Sequence, residues 1–394
     1  MAGLYVHIPF CERKCIYCDF YSVEHLEGAD AFVDALEEEI VMYASYDDRE
    51  TFDTIYFGGG TPSLLHPAQL ERIIRRLRTT YRLSVDVEVT LEVNPGTADA
   101  SKLAAFRSSG VNRLSIGIQS FHDDELRLLT RTHSVAQAVE CVHAATEVGF
   151  ENLGIDLIFA LPGQTHERWR DTLNRALEIE PQHISAYSLI VEPGTPLARL
   201  VKAGLVSPLP EEHDAEMFML TMDVLRSAGF EHYEVSNYAR PGLRSRHNSM
   251  CWSHSNYLGF GPSAHSFWSL SSDDSQFGTR RRWWNSADLG IYVEKTAAGF
   301  SPVAGSEVLA EYELMEEYLM LGLRSDGIDL EKLERVYHIL PSSIEAVFAG
   351  LVEHGLAELG DGKLRLTDRG FLVCDEIVQK VFVAVTSDVA RCAE

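Results

Sequence analysis

From residue 3 to about 235 the chain alternates between two patterns. Short β-branched or apolar runs end in Gly, Asn or Pro: "LYVHI", "TIYFGGG", "VEVTLEVNP", "RLSIGIQS", "NLGIDLIFALPG" and "HISAYSLIVEPG". Between them lie longer segments with apolar residues at helical spacing, such as "ADAFVDALEEEIVMYASY", "HPAQLERIIRRL", "SVAQAVECVHAATEVG" and "ERWRDTLNRALEI". Continuous apolar runs between amphipathic helices predict parallel strands covered by helices, joined by right-handed crossovers. Six such units are too few for an eight-fold barrel. The expectation is an α/β fold, an open or partial (β/α)6 barrel whose site lies at the C-terminal ends of the strands. Polar and glycine residues gather at those ends: Gly58 to Thr61, Glu92 and Asn94, Gln119, Asp156 and Glu192. Asp99 and Ser134 stand where helix N-caps are expected.

The rhythm then changes. Residues 236–304, rich in His, Asn, Ser, Gly and aromatics, read as an irregular connecting segment. From 305 to 394 helical spacing returns, with a short β pair in "LAELGDGKLRLT". That predicts a small C-terminal α+β domain of winged-helix-like form, and residues 1–235 form the barrel domain.

Composition narrows the class. At 45% hydrophobic and 24% charged, the 394-residue chain suits an ordinary folded protein with a sizeable core. A net charge of −25 disfavours nucleic acid, since a broad acidic surface repels phosphates. No apolar run approaches the length of a membrane span, and "MAGLYVHIPFC" has no signal-peptide pattern. The expectation is a cytoplasmic protein without a membrane anchor, a monomer or weak dimer. A local basic cluster does exist at "GTRRRWW". Arg280, Arg281 and Arg282 read as a solvated loop beside two packed tryptophans, or as a docking patch for an anion or partner.

Three of the seven cysteines fall in "HIPFCERKCIYCDF" at C-x3-C-x2-C spacing: Cys11, Cys15 and Cys18. The other four are scattered, so no disulfide framework is expected. Thiolates select zinc or iron–sulfur clusters. Structural zinc needs a fourth ligand, and His7 lies in a strand pattern that points it elsewhere. A 4Fe–4S cluster on three cysteines leaves one iron open for a chelating cofactor.

This loop, with Tyr17 before the last cysteine, resembles the radical S-adenosylmethionine superfamily. The resemblance implies a 4Fe–4S cluster whose open iron binds S-adenosylmethionine, and reductive cleavage of that cofactor to a 5′-deoxyadenosyl radical. "YFGGGTPS" then looks like the superfamily's motif for the cofactor's amino group. A narrower resemblance spans nearly the whole chain through "YVHIPFC", "LEVNPGT", "RLSIGIQSF", "IDLIFALPGQT", "YLGFGPSAHSF" and "LTDRGF". These are similar to the group that holds the anaerobic coproporphyrinogen III dehydrogenase and a heme chaperone. It implies that Tyr5, Gly59 and Glu92 contact the cluster-bound S-adenosylmethionine. It further implies that Tyr17, Gly60, Thr61, Gln119, Arg131 and Asp156 line a second S-adenosylmethionine position known in the dehydrogenase.

Three features favour the chaperone branch. Phe20 stands where the dehydrogenase has a fourth cysteine. Only ten residues precede Cys11, where the dehydrogenase has a long arm. "HNSMCW" follows the chaperone's H-N-x-x-Y-W pattern, with Cys251 in place of Tyr. The resemblance therefore implies heme as a third ligand. His247 is the first candidate contact, Cys251 a weaker one, and His254 and His265 follow. It also implies transfer of heme to acceptor proteins, respiratory enzymes among them. The alternatives are radical decarboxylation of coproporphyrinogen III propionates, an RNA-modifying radical enzyme, which the charge disfavours, and a zinc-stabilised binding module.

Overall fold

The computed structural model describes residues 2–269, 280–339 and 341–392. Six parallel strands form its centre: β1 (Ala2–Ile8), β2 (Phe52–Gly59), β3 (Leu83–Val93), β4 (Arg113–Gln119), β5 (Leu153–Phe159) and β6 (His183–Ser188). They lie in sequential order, so each crossover returns to the neighbouring strand, as in a (β/α) barrel. The crossovers carry α1 (Ala29–Met42), α2 (Pro67–Thr80), α3 (Ala100–Ser108), the short α4 (Asp123–Leu128) with α5 (Val135–Val148), and α6 (His166–Glu178). Strand alternation explains the layering. Leu4, Val6, Ile55, Phe57, Leu91, Ile116 and Leu157 are fully buried in the core shared with the helices. Their alternates, among them Tyr56, Glu92, Ser115 and Asp156, line the barrel interior. In α2 the buried Leu70, Ile73, Ile74 and Leu77 follow helical spacing, and Pro67 and the His66–Gln69 capping box start the helix. Asp99 and Ser134 cap α3 and α5 as expected, accepting from the N–H groups of Lys102 and Gln137.

The barrel stays open. Beyond β6, α7 (Pro196–Lys202) and α8 (Glu211–Ser227) lead to β7 (Glu231–Glu234) and β8 (Asn237–Ala239). β8 pairs antiparallel with β6. The segment expected to be irregular is instead largely ordered. It holds α9 (Arg246–Trp252), β9 (Asn256–Phe260), β10 (His265–Ser269), β11 (Arg280–Asn285), α10 (Leu289–Ala297) and the first residues of β12 (Val303–Val308). β9 pairs parallel with β1, and β10, β11 and β12 extend the sheet antiparallel from there. These strands are only five or six residues long. β9 finds its parallel partner β1 near the start of the chain, and β10, β11 and β12 pair with their neighbours through short runs broken by Ser, Gly and Arg, so no continuous apolar run marks them. The basic cluster is therefore not a loop. Arg280 to Arg282 belong to β11, with Trp283 buried and Arg282 Nη2 donating to both carboxylate oxygens of Glu317 at 2.6 and 2.7 Å.

A second, smaller core forms the C-terminal domain. It comprises α11 (Glu311–Leu323), β13 (Ile328–Asp329), α12 (Leu330–Tyr337), α13 (Pro341–Glu353), β14 (Ala357–Gly360), β15 (Lys363–Leu366), α14 (Asp368–Phe371) and α15 (Cys374–Cys392). Its three strands run in the order β13-β15-β14. Leu319, Leu323, Ile328, Leu333, Leu364 and Val381 fill the centre, with Phe267 of β10 packed against them.

One buried carboxylate fastens the added strands to the barrel. Glu39 of α1 accepts from Tyr292 Oη at 2.6 Å, Asn285 Nδ2 at 2.6 Å and the Gly261 N–H at 2.8 Å. Burial pushes its pKa up to about 7 against those bonds. Glu39→Ala would strand buried donors, at a cost of about 3 kcal/mol in unfolding free energy. The folded state holds the Glu39 proton more tightly than the unfolded chain does. This stabilising term is full below the ordinary carboxyl value and is lost as pH rises through the folded one. Glu39→Gln, which mimics the protonated acid, is expected to gain stability relative to the parent as pH rises from about 4.5 to about 7. Urea unfolding midpoints across that range check it.

Candidate functional site

The cysteine loop leaves β1 and is pinned at both ends. The Cys11 N–H donates to Val23 O at 2.9 Å, and the Val23 N–H to Pro9 O at 2.7 Å. The Ile16 N–H donates to Thr130 Oγ1 at 3.2 Å, and the Leu197 N–H to Ile16 O at 2.9 Å. The loop thus lies across the C-terminal ends of the strands. Among the donors that approach its sulfurs, Thr61 Oγ1 is 3.6 Å from Cys11 Sγ and Arg131 Nη1 is 3.6 Å from Cys15 Sγ. Burial raises the Cys18 thiol to about 11, so metal binding there must displace a proton. Phe20, where a fourth thiol would complete a ligand set, is 62% exposed. Among the described residues no three His, Cys, Asp or Glu side chains are gathered closely enough to hold a single metal ion. Three separate thiol anchors and their donors fit a cluster that takes one thiolate per corner.

Beside the loop opens a cavity of about 430 Å³. Tyr17, Gly59, Gly60, Glu92, Gln119, Arg131 and Asp156 of the expected cofactor set line it, along with Cys18 and Phe20. The glycines are needed for close approach. Gly59 has φ +107°, and a Cβ there would meet the His7 ring at 2.6 Å. Glu92 accepts from Tyr56 Oη at 2.8 Å. Burial pushes its pKa up to about 7 and Asp156 adds to the push, while the Tyr56 hydroxyl and the Gly59 N–H hold it back. Burial raises Asp156 as well, against hydrogen bonds from Ser185 and Ser115. Arg131 Nη2 donates to Asn94 Oδ1 at 3.0 Å and Gly117 O at 2.8 Å, and its buried Nε meets no partner among the described residues. Gln119 takes φ +70°, a left-handed backbone costing about 1–2 kcal/mol, at the end of β4. Carboxyls for hydroxyl or ammonium groups, a guanidinium for a carboxylate and bare backbone at the glycines fit S-adenosylmethionine.

Other expected residues stand behind this lining. Tyr5 stacks on Tyr56 at 6.2 Å, and its hydroxyl is 3.1 Å from His7 Nδ1. His7 Nε2 lies 2.9 Å from Tyr21 O and so donates to it, tying β1 to the cysteine loop. His247 is buried on α9. Its Nδ1 is 2.8 Å from Thr54 Oγ1, and its ring stacks on Tyr56 at 5.0 Å and Tyr5 at 6.4 Å. Burial lowers its pKa to about 4, so the ring is neutral. Cys251 is exposed on the same helix. His254 pairs with Glu317 at 2.9 Å and stacks on Phe267. His265 is exposed on β10 against Trp284 and does not line the cavity.

Several lining residues escaped the sequence reading. Tyr56, Thr90, Arg113, Ser115, His183 and Ser185 all face the cavity, as does Asn248 of the "HN" motif. Inward polar residues inside apolar strands were the available signal.

An open barrel of parallel strands capped by a three-thiol loop defines the radical S-adenosylmethionine class. Residues 5–176 match the family model of the Radical SAM superfamily, and residues 309–373 match that of the HemN C-terminal domain. The heme chaperone HemW of Bacillus subtilis is 35% identical over 382 residues, 96% of this chain and 98% of its own length. The mitochondrial radical S-adenosyl methionine domain-containing protein 1 of Danio rerio is 34% identical over 94% of this chain and 82% of its own. Among solved structures, coproporphyrinogen III oxidase (HemN) from Escherichia coli superposes with a TM-score of 0.81 at 26% identity, over 97% of this chain and 89% of that one. The chain belongs to the HemN-like family of the radical SAM superfamily, the family that includes HemW.

Proposed function

We propose that this protein is a heme chaperone of the HemW kind. It holds a 4Fe–4S cluster on Cys11, Cys15 and Cys18, binds S-adenosylmethionine in the barrel cavity, takes up heme and passes it to acceptor proteins in the cytoplasm. The carrying observation is the match to HemW at 35% identity across almost the full length of both chains. Phe20 in place of a fourth thiol, and the "HN" helix placed against the barrel, support the same reading. A cluster bound there would supply the electron for the cofactor's chemistry. The chain's own part is to orient and enclose. Glu92, held by Tyr56, accepts from the cofactor's hydroxyl or ammonium groups. Arg131 takes its carboxylate, and Gly59 and Gly60 let backbone approach it. Among the described residues no helix is long and apolar enough to cross a membrane, so delivery to a membrane-bound acceptor would go through that partner.

His247 belongs to the heme reading in one of two ways. It ligates iron after its ring leaves the stack on Tyr56, or it holds α9 while Cys251 and its neighbours meet the porphyrin. The overlap with HemN favours one rival, decarboxylation of coproporphyrinogen propionates. Anaerobic titration of the cluster-loaded protein with heme, run beside a coproporphyrinogen assay, decides between them. Stoichiometric heme binding without decarboxylation is expected. Turnover of the porphyrinogen, or no heme binding, would overturn the proposal.

A further inference from the structure

Deeper in the barrel than Glu92 and Gln119 lies a second group of inward polar residues, which the cofactor contacts do not use. Strand register places Thr90 beside Arg113 and Gly154 beside His183. Thr90, Arg113 and His183 are at most 2% exposed, yet all three line the cavity. Among the described residues Thr90 Oγ1 and His183 Nδ1 meet no hydrogen-bond partner. Arg113 gives Nη1 to Asn152 Oδ1 at 2.8 Å and, more weakly, to Leu243 O at 3.4 Å. The bare Gly154 leaves room between them. A Cβ there would stand 3.4 Å from His183 Nδ1 and 3.6 Å from Arg113 Nη2. Asn248 of the "HN" helix lines the same cavity.

The proton on His183 can be placed. The Tyr233 hydroxyl accepts the Ser245 N–H at 3.3 Å and lies 2.8 Å from His183 Nε2, and giving its hydrogen to that nitrogen satisfies the hydroxyl as donor as well as acceptor. The ring proton then sits on Nδ1, a donor beside Arg113 Nη2. Unmet buried hydrogen bonds cost about 1–3 kcal/mol each, so a fold that keeps two of them at one end of a cavity implies a group that arrives to satisfy them. The donors are a guanidinium, an imidazole N–H, a hydroxyl and an amide, and the match is an anionic oxygen pair. The deep end holds one guanidinium, which balances a single charge. That favours a carboxylate over a phosphate.

The geometry points to a carboxylate-binding subsite at the deep end of the barrel cavity, formed by Arg113, His183 and Thr90 around Gly154. Two ligands of this protein class carry such a group: the propionates of heme, which rests on the chaperone reading above, and an S-adenosylmethionine that sets its carboxylate here instead of on Arg131.

Gly154→Ala tests it with little risk to the fold. Its Cβ would make only ordinary van der Waals contacts, and the glycine has no left-handed backbone to relieve. Thr90→Val, nearly isosteric, is the second variant. Both are measured in the cluster-loaded full chain by titration with heme, heme dimethyl ester and S-adenosylmethionine. Iron content serves as the control for folding. A drop of about tenfold or more in heme affinity, with the dimethyl ester insensitive to both variants, supports the subsite with a propionate as occupant. A similar drop confined to S-adenosylmethionine supports it with the cofactor's carboxylate. Unchanged affinities for both ligands overturn it and leave the residues hydrated by water. If the parent protein binds no heme, the chaperone reading fails, and the S-adenosylmethionine titration still decides the subsite.

Discussion

Cys15→Ser is expected to leave the reconstituted protein with at least about tenfold less iron and sulfide than the parent, and with no measurable cluster-dependent binding of S-adenosylmethionine. The residue is half-buried, and the Arg131 guanidinium approaches its sulfur at 3.6 Å. A serine hydroxyl is a harder, less acidic ligand than a thiol and cannot replace the thiolate on iron. Two thiolates would then face a cluster that needs three from the protein. The fold should survive. The loop is held by Ile16 N–H on Thr130 and by Leu197 N–H on Ile16 O, and neither bond involves the Cys15 side chain. Near-parental thermal stability with the iron gone is therefore the expected pair of readings. Parental iron in the variant would mean that the cluster is not held by this loop.

The cysteine loop was legible because its information is local: three thiols at fixed spacing state the chemistry before any fold is known. The six barrel strands were legible for a related reason. Each is buried against helices on one side, so "LYVHI" or "RLSIGIQS" reads as an apolar run whatever it pairs with. The strands from Asn256 onward have no such mark. β9 is a strand because β1 offers it an open edge, and β1 lies some 250 residues earlier in the chain. The same limit hid the place of His247. Its partners Tyr5, Thr54 and Tyr56 come from the first two strands, and nothing in "HNSMCW" points to them. Gly154 was open to a closer reading. A glycine inside the run "NLGIDLIF" has no packing value of its own and so signals that something approaches the backbone. The deep polar floor follows from the same alternation. Thr90, Arg113 and His183 sit at inward positions of strands whose outward residues fix the core.

Gly60 offers the clearest separation of site from scaffold. Gly60→Ala is expected to abolish or weaken by at least about tenfold both cluster loading and cofactor binding, at a stability cost of only about 1–3 kcal/mol. Its N–H donates to Ile8 O at 2.8 Å, which draws the end of β2 against the end of β1. A Cβ there would stand 2.6 Å from Phe10 O, 2.9 Å from Ile8 O and 3.0 Å from Phe10 C, all backbone atoms on the path into Cys11. No side chain can rotate to relieve this, so the strand end or the loop must move. Phe10 cannot yield alone: it is fully buried, edge-on to Phe32 at 5.4 Å, and bridged to Val23. The displacement therefore passes into the cysteine loop and into the glycine stretch that faces the cofactor. Gly350→Ala is the matched control. It lies in α13, where an added Cβ meets nothing within 4 Å, and should change neither iron content nor cofactor affinity. Iron analysis and S-adenosylmethionine titration of the two variants, with far-ultraviolet circular dichroism for the fold, give the comparison. If Gly60→Ala keeps its iron and binds the cofactor like the parent, then the close approach of β2 to the cysteine loop is not what shapes the site.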